Sequence, residues 1–329
     1  MYETKDKITK FVYFFGEGIS EGNPEHKHIL GGKGSSLVSM SKAGLPVPPG
    51  FIISIEACRY YYENNKKWPK GLEEDIKTYI GRLERVTGKK FGKGKNPLLV
   101  SVRSGAERSM PGMMDTILNC GLNPEIEREV SDKSQFWFVY GQFVQQFAEI
   151  VARISTAPFE EIARERNKYK DPEKTITLKY IELYEKETGE KFPLDPLELL
   201  FKCINAVFES WNNERARVYR KAHGLEKLGG TAVTIQEMFN SEVSGITFTG
   251  NPVSGDINEM IIESNYGLGE SVVSGNVTPD RFVVDRSTMR IKEKSLGNKF
   301  YTMTALGQSL SVKDPYAPSL TDGQIMELV

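Results

Sequence analysis

An arginine that follows a buried strand, together with the loop after it, carries the strongest chemical signal in the sequence. The apolar run at 98–102 predicts a strand that delivers Arg103 into the loop SGAERSMPGMMDT. A strand fixes the guanidinium, and small loop residues let backbone N–H groups approach anionic oxygens. This combination is typical of a polyphosphate site. From these residues alone, a surface hairpin in which Arg103 pairs with Glu107 is an equally good interpretation.

A second candidate anion site is the sequence GGKGSS at 31–36, before a helix predicted over 36–43. Free N–H groups and the dipole at a helix N-terminus favour anions, and Lys33 can reach a phosphate as a point charge. The motif is not a Walker A loop, because that requires GxxxxGK[ST] and here Gly34 follows the lysine. A glycine-rich turn with a solvated lysine is at least as good an interpretation of this motif alone.

The composition is that of a globular protein with little net charge. The 329 residues are 39% hydrophobic and 26% charged, and the formal net charge of −1 argues against nucleic acid or an acidic membrane as a partner. No apolar run approaches the ~18 residues of a membrane span, and the start of the chain lacks the apolar core of a signal peptide. Three cysteines without metal-binding spacing predict buried thiols in a cytoplasmic protein.

The elements that must position these residues predict an α+β fold. Strands are predicted at 11–15 and 51–55, and Ser54 is placed to cap the helix that follows the second of them. After residue 231 the pattern changes to short strands separated by Gly, Asp and Asn turns, which is typical of an antiparallel sheet. These later strands are predicted at 231–239, 245–252, 259–267 and 281–285.

The middle of the chain is predicted to be helical. The densely apolar segment 136–154 suits a buried helix. The segment 194–224 shows the clearest helical pattern in the sequence, with apolar residues returning to one face. We expect its arginines, Arg215, Arg217 and Arg220, to lie on a solvated face.

The last residues predict the start of a helix. Thr321 is a candidate N-cap, and Gln324 completes a capping box with it. The pattern stops at Val329 after about two turns, and we expect that a further part of the domain is supplied elsewhere.

Several long motifs in the same order give the chain a family resemblance. They include GGKG with PVPPGF, SVRSGAERSMPGMMDTILNCGL, ETGEKFPLDPLELL with SWNNERARVYRKAHG, and TAVTIQEMF with SGITFTGNPVSGD. In these motifs the chain resembles the N-terminal nucleotide-binding domain of pyruvate, phosphate dikinase and its relative phosphoenolpyruvate synthase. YGLGESVVSGNVTPD is more similar to the synthase. The resemblance covers essentially the whole chain.

The resemblance implies an ATP-grasp-type, multilobed nucleotide-binding domain with a helical insertion. Residues 1–121 and 198–238 would form the first lobe, 122–197 the helical subdomain, and 239–329 a second lobe that is truncated at its C-terminus. It also implies that ATP phosphorylates a histidine on a separate swivelling domain, and that the phosphoryl group then passes to pyruvate on a third domain to give phosphoenolpyruvate.

Residue roles follow from the same resemblance. Lys33 and Arg103 match positions that would neutralise the polyphosphate charge as it builds during transfer, a role that also makes physical sense. A loop would close over the phosphates, a hinge strand would contact the adenine edge, and an acidic residue would lie near the ribose. The positions that match the loop are Gly112, Met113 and Met114. Those that match the hinge strand are Gln236, Glu237 and Met238, and the acidic residue matches Glu270.

The sequence departs from the family pattern in three respects. Gly141-Gln142 and Gly250 stand where the family often has arginine. The Mg²⁺-binding acidic segment is expected beyond Val329, so no metal ligand is predicted within this chain. The phosphorylated histidine and the acceptor domain are likewise expected on the same full-length chain or on another subunit, and we expect the isolated chain to be inactive.

Two alternatives remain open from the sequence. The chain could be the nucleotide-binding subunit of a split relative with another acceptor, similar to phenylphosphate synthase. It could also be a non-catalytic binding module of the same fold, which the missing arginines and metal ligands favour. The intact Lys33, Arg103 and PGMMDT loop oppose that second alternative.

Overall fold

The structure, a computed structural model, describes residues 10–269, 272, 277–299 and 314–329. The chain divides into two compact units, Met1–Met238 and Phe239–Val329. In the part of the chain that the structure describes, all pairs between named strands are antiparallel. The mixture of helices and antiparallel sheet confirms the α+β class.

The first unit is built on a six-stranded sheet. Its strands lie in the order β2-β1-β3-β6-β4-β5. They are β1 (Val12–Gly16), β2 (Ile19–Ser20), β3 (Gly50–Ile53), β4 (Val100–Ala106), β5 (Thr116–Cys120) and β6 (Thr231–Glu237). The predicted strands at 11–15 and 51–55 correspond to β1 and β3. The side chain of Ser54 accepts a hydrogen bond from the Ala57 N–H, which confirms the predicted cap.

The helices of the first unit pack against this sheet and against one another. They are α1 (Lys27–Lys42), α2 (Ile55–Glu63), α3 (Leu72–Thr87), α4 (Lys133–Val151), α5 (Ala157–Arg164), α6 (Pro172–Thr188), α7 (Pro196–Ser210) and α8 (Glu214–Ala222). Short 3₁₀ helices cover Pro124–Arg128 and Arg166–Lys168. The predicted buried helix at 136–154 corresponds to α4, whose aromatic residues are largely buried.

Two helix predictions in this unit were wrong in extent. The helix expected from residue 36 begins at Lys27, with a break at Gly31. The single helix expected over 194–224 is two helices, because the chain leaves α7 near Trp211 and α8 restarts at the Asn213 N-cap. Arg220 does not lie on a solvated face: it is buried, with its guanidinium over the Trp211 ring.

The second unit contains a four-stranded sheet of order β10-β9-β8-β7. Its elements are β7 (Val243–Phe248), β8 (Glu259–Tyr266), β9 (Asp280–Asp285), β10 (Arg290–Ser295) and a short helix α9 (Asp322–Leu328). Ile325 of α9 packs with Ile262 and Phe282 in the core of this unit. The Thr321–Gln324 capping box is present, as predicted.

The predicted environment of the thiols is also confirmed. Cys58, Cys120 and Cys203 are free and buried. Burial raises the pKa of the Cys58 thiol to about 12, which keeps it protonated at neutral pH. In the described part of the chain, no helix combines the length and the apolar character that crossing a bilayer requires.

Candidate functional site

The centre of the six-stranded sheet forms one wall of a cavity of about 870 Å³. Arg103 lies opposite Thr116 on one neighbouring strand and opposite Thr234 on the other. Residues paired in this way on antiparallel strands present their side chains on the same face of the sheet, and all three line the cavity. Arg103 was predicted in a loop, but β4 continues to Ala106 because both neighbouring strands keep pairing with it.

A break in α1 brings a helix N-terminus to the same cavity. Gly31 has φ 70° and ψ 167°, which interrupts the helix before the segment 32–42. A Cβ atom at Gly31 would lie 1.9 Å from the Gly105 carbonyl oxygen, so this close approach of α1 to β4 requires glycine. Gly32 and Lys33 then line the cavity. The start of a helix offers backbone N–H groups and a positive dipole end, which favours an anion there.

Lys33 and Arg103 concentrate positive charge at this wall. Lys33 borders the open cavity and is exposed, yet the protein surrounds its ammonium closely enough to lower its pKa. Partial desolvation is the larger cause, and the positive charge of Arg103 is the second. Two neighbouring cations raise each other's free energy, and a bound polyanion would relieve that repulsion.

The loop between β4 and β5 also lines the cavity. Gly112, with φ 70° and open space around its Cβ position, lines the cavity together with Met114. Met113 was predicted at the site, but it does not line this cavity. It packs with Met110 and Trp211 instead.

The three predicted hinge-strand residues have different surroundings. Gln236 lines the cavity, and its Nε2 donates to the Pro48 carbonyl at 3.0 Å. Glu237 forms an ion pair with Lys89 at 2.7 Å between Nζ and Oε1, and Met238 is a buried residue just beyond β6. Neither of the last two side chains lines the cavity. Glu237 follows Gln236 directly in the strand and so faces the opposite side, whereas Met238 lies beyond the end of β6. Glu270 lies outside the described residues.

Thr234 is a cavity residue that sequence reasoning missed. It is 1% exposed, and its hydroxyl has no hydrogen-bond partner among the described residues. A buried, unpartnered hydroxyl beside a cavity is free to bond to a ligand. Its spacing from Gln236 could have identified Thr234 in the sequence, since the two residues are two apart on one strand and face the same side. The residues present therefore fit a ligand that carries both anionic and polar groups.

The two positions where the family often has arginine differ physically. A Cβ atom at Gly141 would lie 2.5 Å from the Thr177 hydroxyl, so this glycine allows the close contact of α4 with α6. Gly250 has ordinary space around its Cβ position, with the nearest atoms at 3.7 Å. The first glycine is explained by packing, and nothing in the structure explains the second.

The described residues offer no cluster of metal ligands and place no histidine in the cavity lining. Among them, no group of three His, Cys, Asp or Glu side chains could hold a metal ion. The rings of His26 and His28 lie 5.3 Å apart, and both residues are exposed. His223 is exposed as well, and none of the three histidines lines the cavity.

The fold and the site thus define an α+β domain with a cationic cavity at a helix N-terminus. The family model described as "Pyruvate phosphate dikinase, AMP/ATP-binding domain" matches residues 27–71 and 64–329. The chain belongs to this family. The match supports ATP binding, and it favours the dikinase interpretation over the alternatives left open by the sequence.

Known relatives agree with the family model. The chain is 40% identical over 294 residues to pyruvate, phosphate dikinase of Rhizobium meliloti, which covers 83% of the chain and 32% of the relative. It is 40% identical over 292 residues to the chloroplastic pyruvate, phosphate dikinase of Flaveria trinervia (82% and 30%). It is also 40% identical over 302 residues to pyruvate, phosphate dikinase of Rickettsia bellii (85% and 34%). The chain therefore spans about a third of the length of these relatives.

Proposed function

We propose that the cavity between α1, β4 and β6 binds ATP, and that the chain is the ATP-binding part of a dikinase-type phosphotransferase. The observation that carries this proposal is the juxtaposition of Lys33 and Arg103 at the broken start of α1. The match to a family described as an AMP/ATP-binding domain supports a nucleotide as the ligand. The cavity volume of about 870 Å³ is in the range of small-molecule sites.

We assign the polyphosphate to the cationic wall of the cavity. The Lys33 ammonium and the Arg103 guanidinium would donate charge-assisted hydrogen bonds to phosphate oxygens, with the first N–H groups after Gly31 as further donors. The same groups would stabilise negative charge that develops on the transferred phosphoryl group. Thr234 and Gln236 offer a hydroxyl and an amide to the rest of the nucleotide.

We propose that the phosphoryl acceptor is a histidine on another domain of the full-length chain or on another subunit. His26, His28 and His223 do not line the cavity, which supports an acceptor outside the described residues. The relatives, about three times as long as this chain, have room for further domains. On this proposal the isolated chain binds ATP without completing a transfer, and the full protein leads to phosphoenolpyruvate.

We further propose an ATP-grasp fold. Its two lobes would be 1–121 with 198–238, and 239–329, and residues 122–197 would form a helical insertion. The antiparallel sheet in each compact unit and the run of helices α4–α6 support this division.

Thermal unfolding with and without ATP tests the proposed function. ATP should raise the unfolding midpoint of the wild-type chain, because a ligand that binds only the folded state stabilises it. The Arg103→Met variant should lose most of that shift. Arg85→Met, which removes an exposed arginine outside the cavity, is the matched control and should keep the shift.

Two results would contradict the proposal. If ATP does not shift the midpoint of the wild-type chain, the cavity is not an ATP site. If ATP stabilises the Arg103→Met variant as much as the wild type, nucleotide binds elsewhere.

A further inference from the structure

The turn between α7 and α8 contacts the loop that borders the cavity at three separate points. We call residues 107–115 the cavity loop and residues 211–215 the anchoring turn. The cavity loop includes residues on the rim of the proposed nucleotide site, such as Gly112 and Met114. None of the residues of the anchoring turn lines the cavity.

The first contact is apolar. Met110 is the buried residue of the cavity loop, and it clusters with Ala106 and Trp211. Trp211 also contacts Arg220, whose guanidinium lies 3.9 Å from the Trp211 ring centroid and donates to the Trp211 backbone carbonyl. A cation over an indole face is a favourable arrangement, so the Trp211 side chain has a fixed position.

The second and third contacts are polar. The Asn213 Nδ2 donates to the Met113 carbonyl at 3.1 Å, while its Oδ1 accepts from the Ala216 N–H at 2.7 Å as the N-cap of α8. The Arg215 Nη2 lies 3.3 Å from the Asp115 Oδ1. The start of α8 therefore holds both a backbone carbonyl and a carboxylate of the cavity loop.

The cavity loop has few constraints of its own near its tip. Residues 108, 109, 111 and 112 are exposed, and the turn hydrogen bond within this segment joins the Met113 N–H to the Met110 carbonyl. Ordering such a loop when a ligand binds costs conformational entropy, and a loop that is already held avoids part of that cost.

We propose that the anchoring turn positions the cavity loop and thereby sets the affinity of the site for ATP. Trp211, Asn213 and Arg215 act as positioning residues, since they contact the loop rather than the ligand. This inference rests on the proposed function, because the loop matters for affinity only if the cavity is the ATP site.

The Asn213→Asp variant separates loop positioning from helix capping. Aspartate keeps the oxygen that accepts from the Ala216 N–H, so α8 stays capped. It loses the donor to the Met113 carbonyl and places a carboxylate against that oxygen. We expect ATP affinity, measured by isothermal titration calorimetry on this chain, to fall by about tenfold. Asn64→Asp also removes an Nδ2 bond to a backbone carbonyl, away from the cavity, and should keep the wild-type affinity.

A second pair of variants tests the same inference without a buried change. Arg215→Gln removes the partner of Asp115 from an exposed position, and we expect ATP affinity to fall by about threefold. Arg217→Gln, an exposed arginine on the same helix, should bind ATP as the wild type does. A structural role for the turn would lower the unfolding midpoint and leave the affinity of the folded protein unchanged.

The outcomes separate the two proposals. If wild-type protein binds ATP and both Asn213→Asp and Arg215→Gln bind it equally well, this inference is wrong and the proposed function stands. If the wild-type protein itself binds no ATP, the proposed function fails, and the inference fails with it.

Discussion

Two lysines of this chain, Lys33 in the first unit and Lys299 in the second, occupy opposite electrostatic situations. Lys299 is fully buried and donates to the Asp280 carboxylate at 2.6 Å and to the Gly297 carbonyl at 3.2 Å. Lys33 is open to a cavity and lies near another cation, Arg103, which contributes to its lowered pKa.

The surroundings of Asp280 complete the contrast. This buried carboxylate also accepts from the backbone N–H of Gly297 and from both the N–H and the hydroxyl of Ser319. The buried Lys299 and Asp280 therefore find their charge and hydrogen-bond partners within the protein, and their bonds connect several segments of the second unit. The comparison teaches that burial alone does not distinguish the two lysines: Lys299 is paired with a carboxylate, whereas Lys33 lies beside a cavity and near a second positive charge.

Removal of the Asp280 carboxylate, the partner of buried Lys299, should give the largest effect of the substitutions considered, a loss of folding stability. Asp280→Ala leaves a buried ammonium uncompensated, and we expect the free energy of unfolding to fall by about 3–5 kcal/mol. Denaturant unfolding followed by circular dichroism measures this loss. Asp322→Ala breaks an exposed ion pair with Lys294 in the same unit and should cost less than about 1 kcal/mol. Equal losses for both variants would remove the contrast.

Removal of the Lys33 ammonium from the cavity wall should weaken ligand binding without lowering folding stability. We expect Lys33→Met to lower ATP affinity by about 10- to 100-fold, because charge-assisted hydrogen bonds to phosphate are lost. The unfolding midpoint without ATP should not fall, since the substitution removes like-charge repulsion with Arg103. Lys42→Met, on the same helix outside the cavity, should bind ATP normally. Titration calorimetry and thermal unfolding read out the two effects, and a destabilised Lys33→Met with normal affinity would reverse our assignment.

Removal of the buried Thr234 hydroxyl tests the same cavity wall, with a smaller expected change in ATP affinity. Thr234→Val keeps the side-chain shape and removes a hydroxyl that has no partner among the described residues. We expect ATP affinity to fall by about threefold to tenfold without loss of stability. By contrast, Thr231→Val in the same strand removes the acceptor of the Gly105 N–H and should lower stability. Unchanged ATP affinity in Thr234→Val would exclude this hydroxyl from the site.

The smallest expected effect is a change in proton binding. The folded-state pKa of Lys33 is lowered, so between that value and the ordinary lysine pKa the unfolded chain binds more protons and stability rises with pH. A bound polyphosphate would raise this pKa again, so ATP binding at alkaline pH should take up a fraction of a proton. Calorimetry in two buffers with different ionisation enthalpies measures the uptake, which Lys33→Met should abolish. Equal uptake in the variant would assign it to another group.

Much of the fold could be predicted from local sequence patterns. The short apolar runs of β1 and β3, the Ser54 cap and the Thr321–Gln324 capping box all depend on neighbours in sequence, and all are present. The strand β10, RIKEKS, was not predicted because its residues are mostly exposed and charged, so they carry no apolar alternation. Its pairing with β9 is a tertiary effect.

The candidate site was predicted in its residue types and less well in its geometry. Lys33, Arg103, Gly112, Met114 and Gln236 line one cavity, which local reasoning about small residues and cations could anticipate. The placement of Arg103 within a strand, rather than in a loop, depends on two partner strands distant in sequence.

Three further features lay beyond local patterns for a similar reason. Met113 packs against the cluster that contains Trp211, and Glu237 pairs with Lys89, so both depend on segments that are distant in sequence. The break between α7 and α8 was also missed, because the apolar spacing continues through it while Asn213 turns to cap the next helix.

Hydrogen exchange of backbone amides with and without ATP tests the central claim most directly, because it locates the bound nucleotide along the chain. We predict that ATP slows exchange in residues 31–36, at the broken start of α1, and in residues 103–112, from Arg103 into the cavity loop. Protection confined to other segments, with these two unchanged at saturating ATP, would contradict the assignment of the cavity as the ATP site.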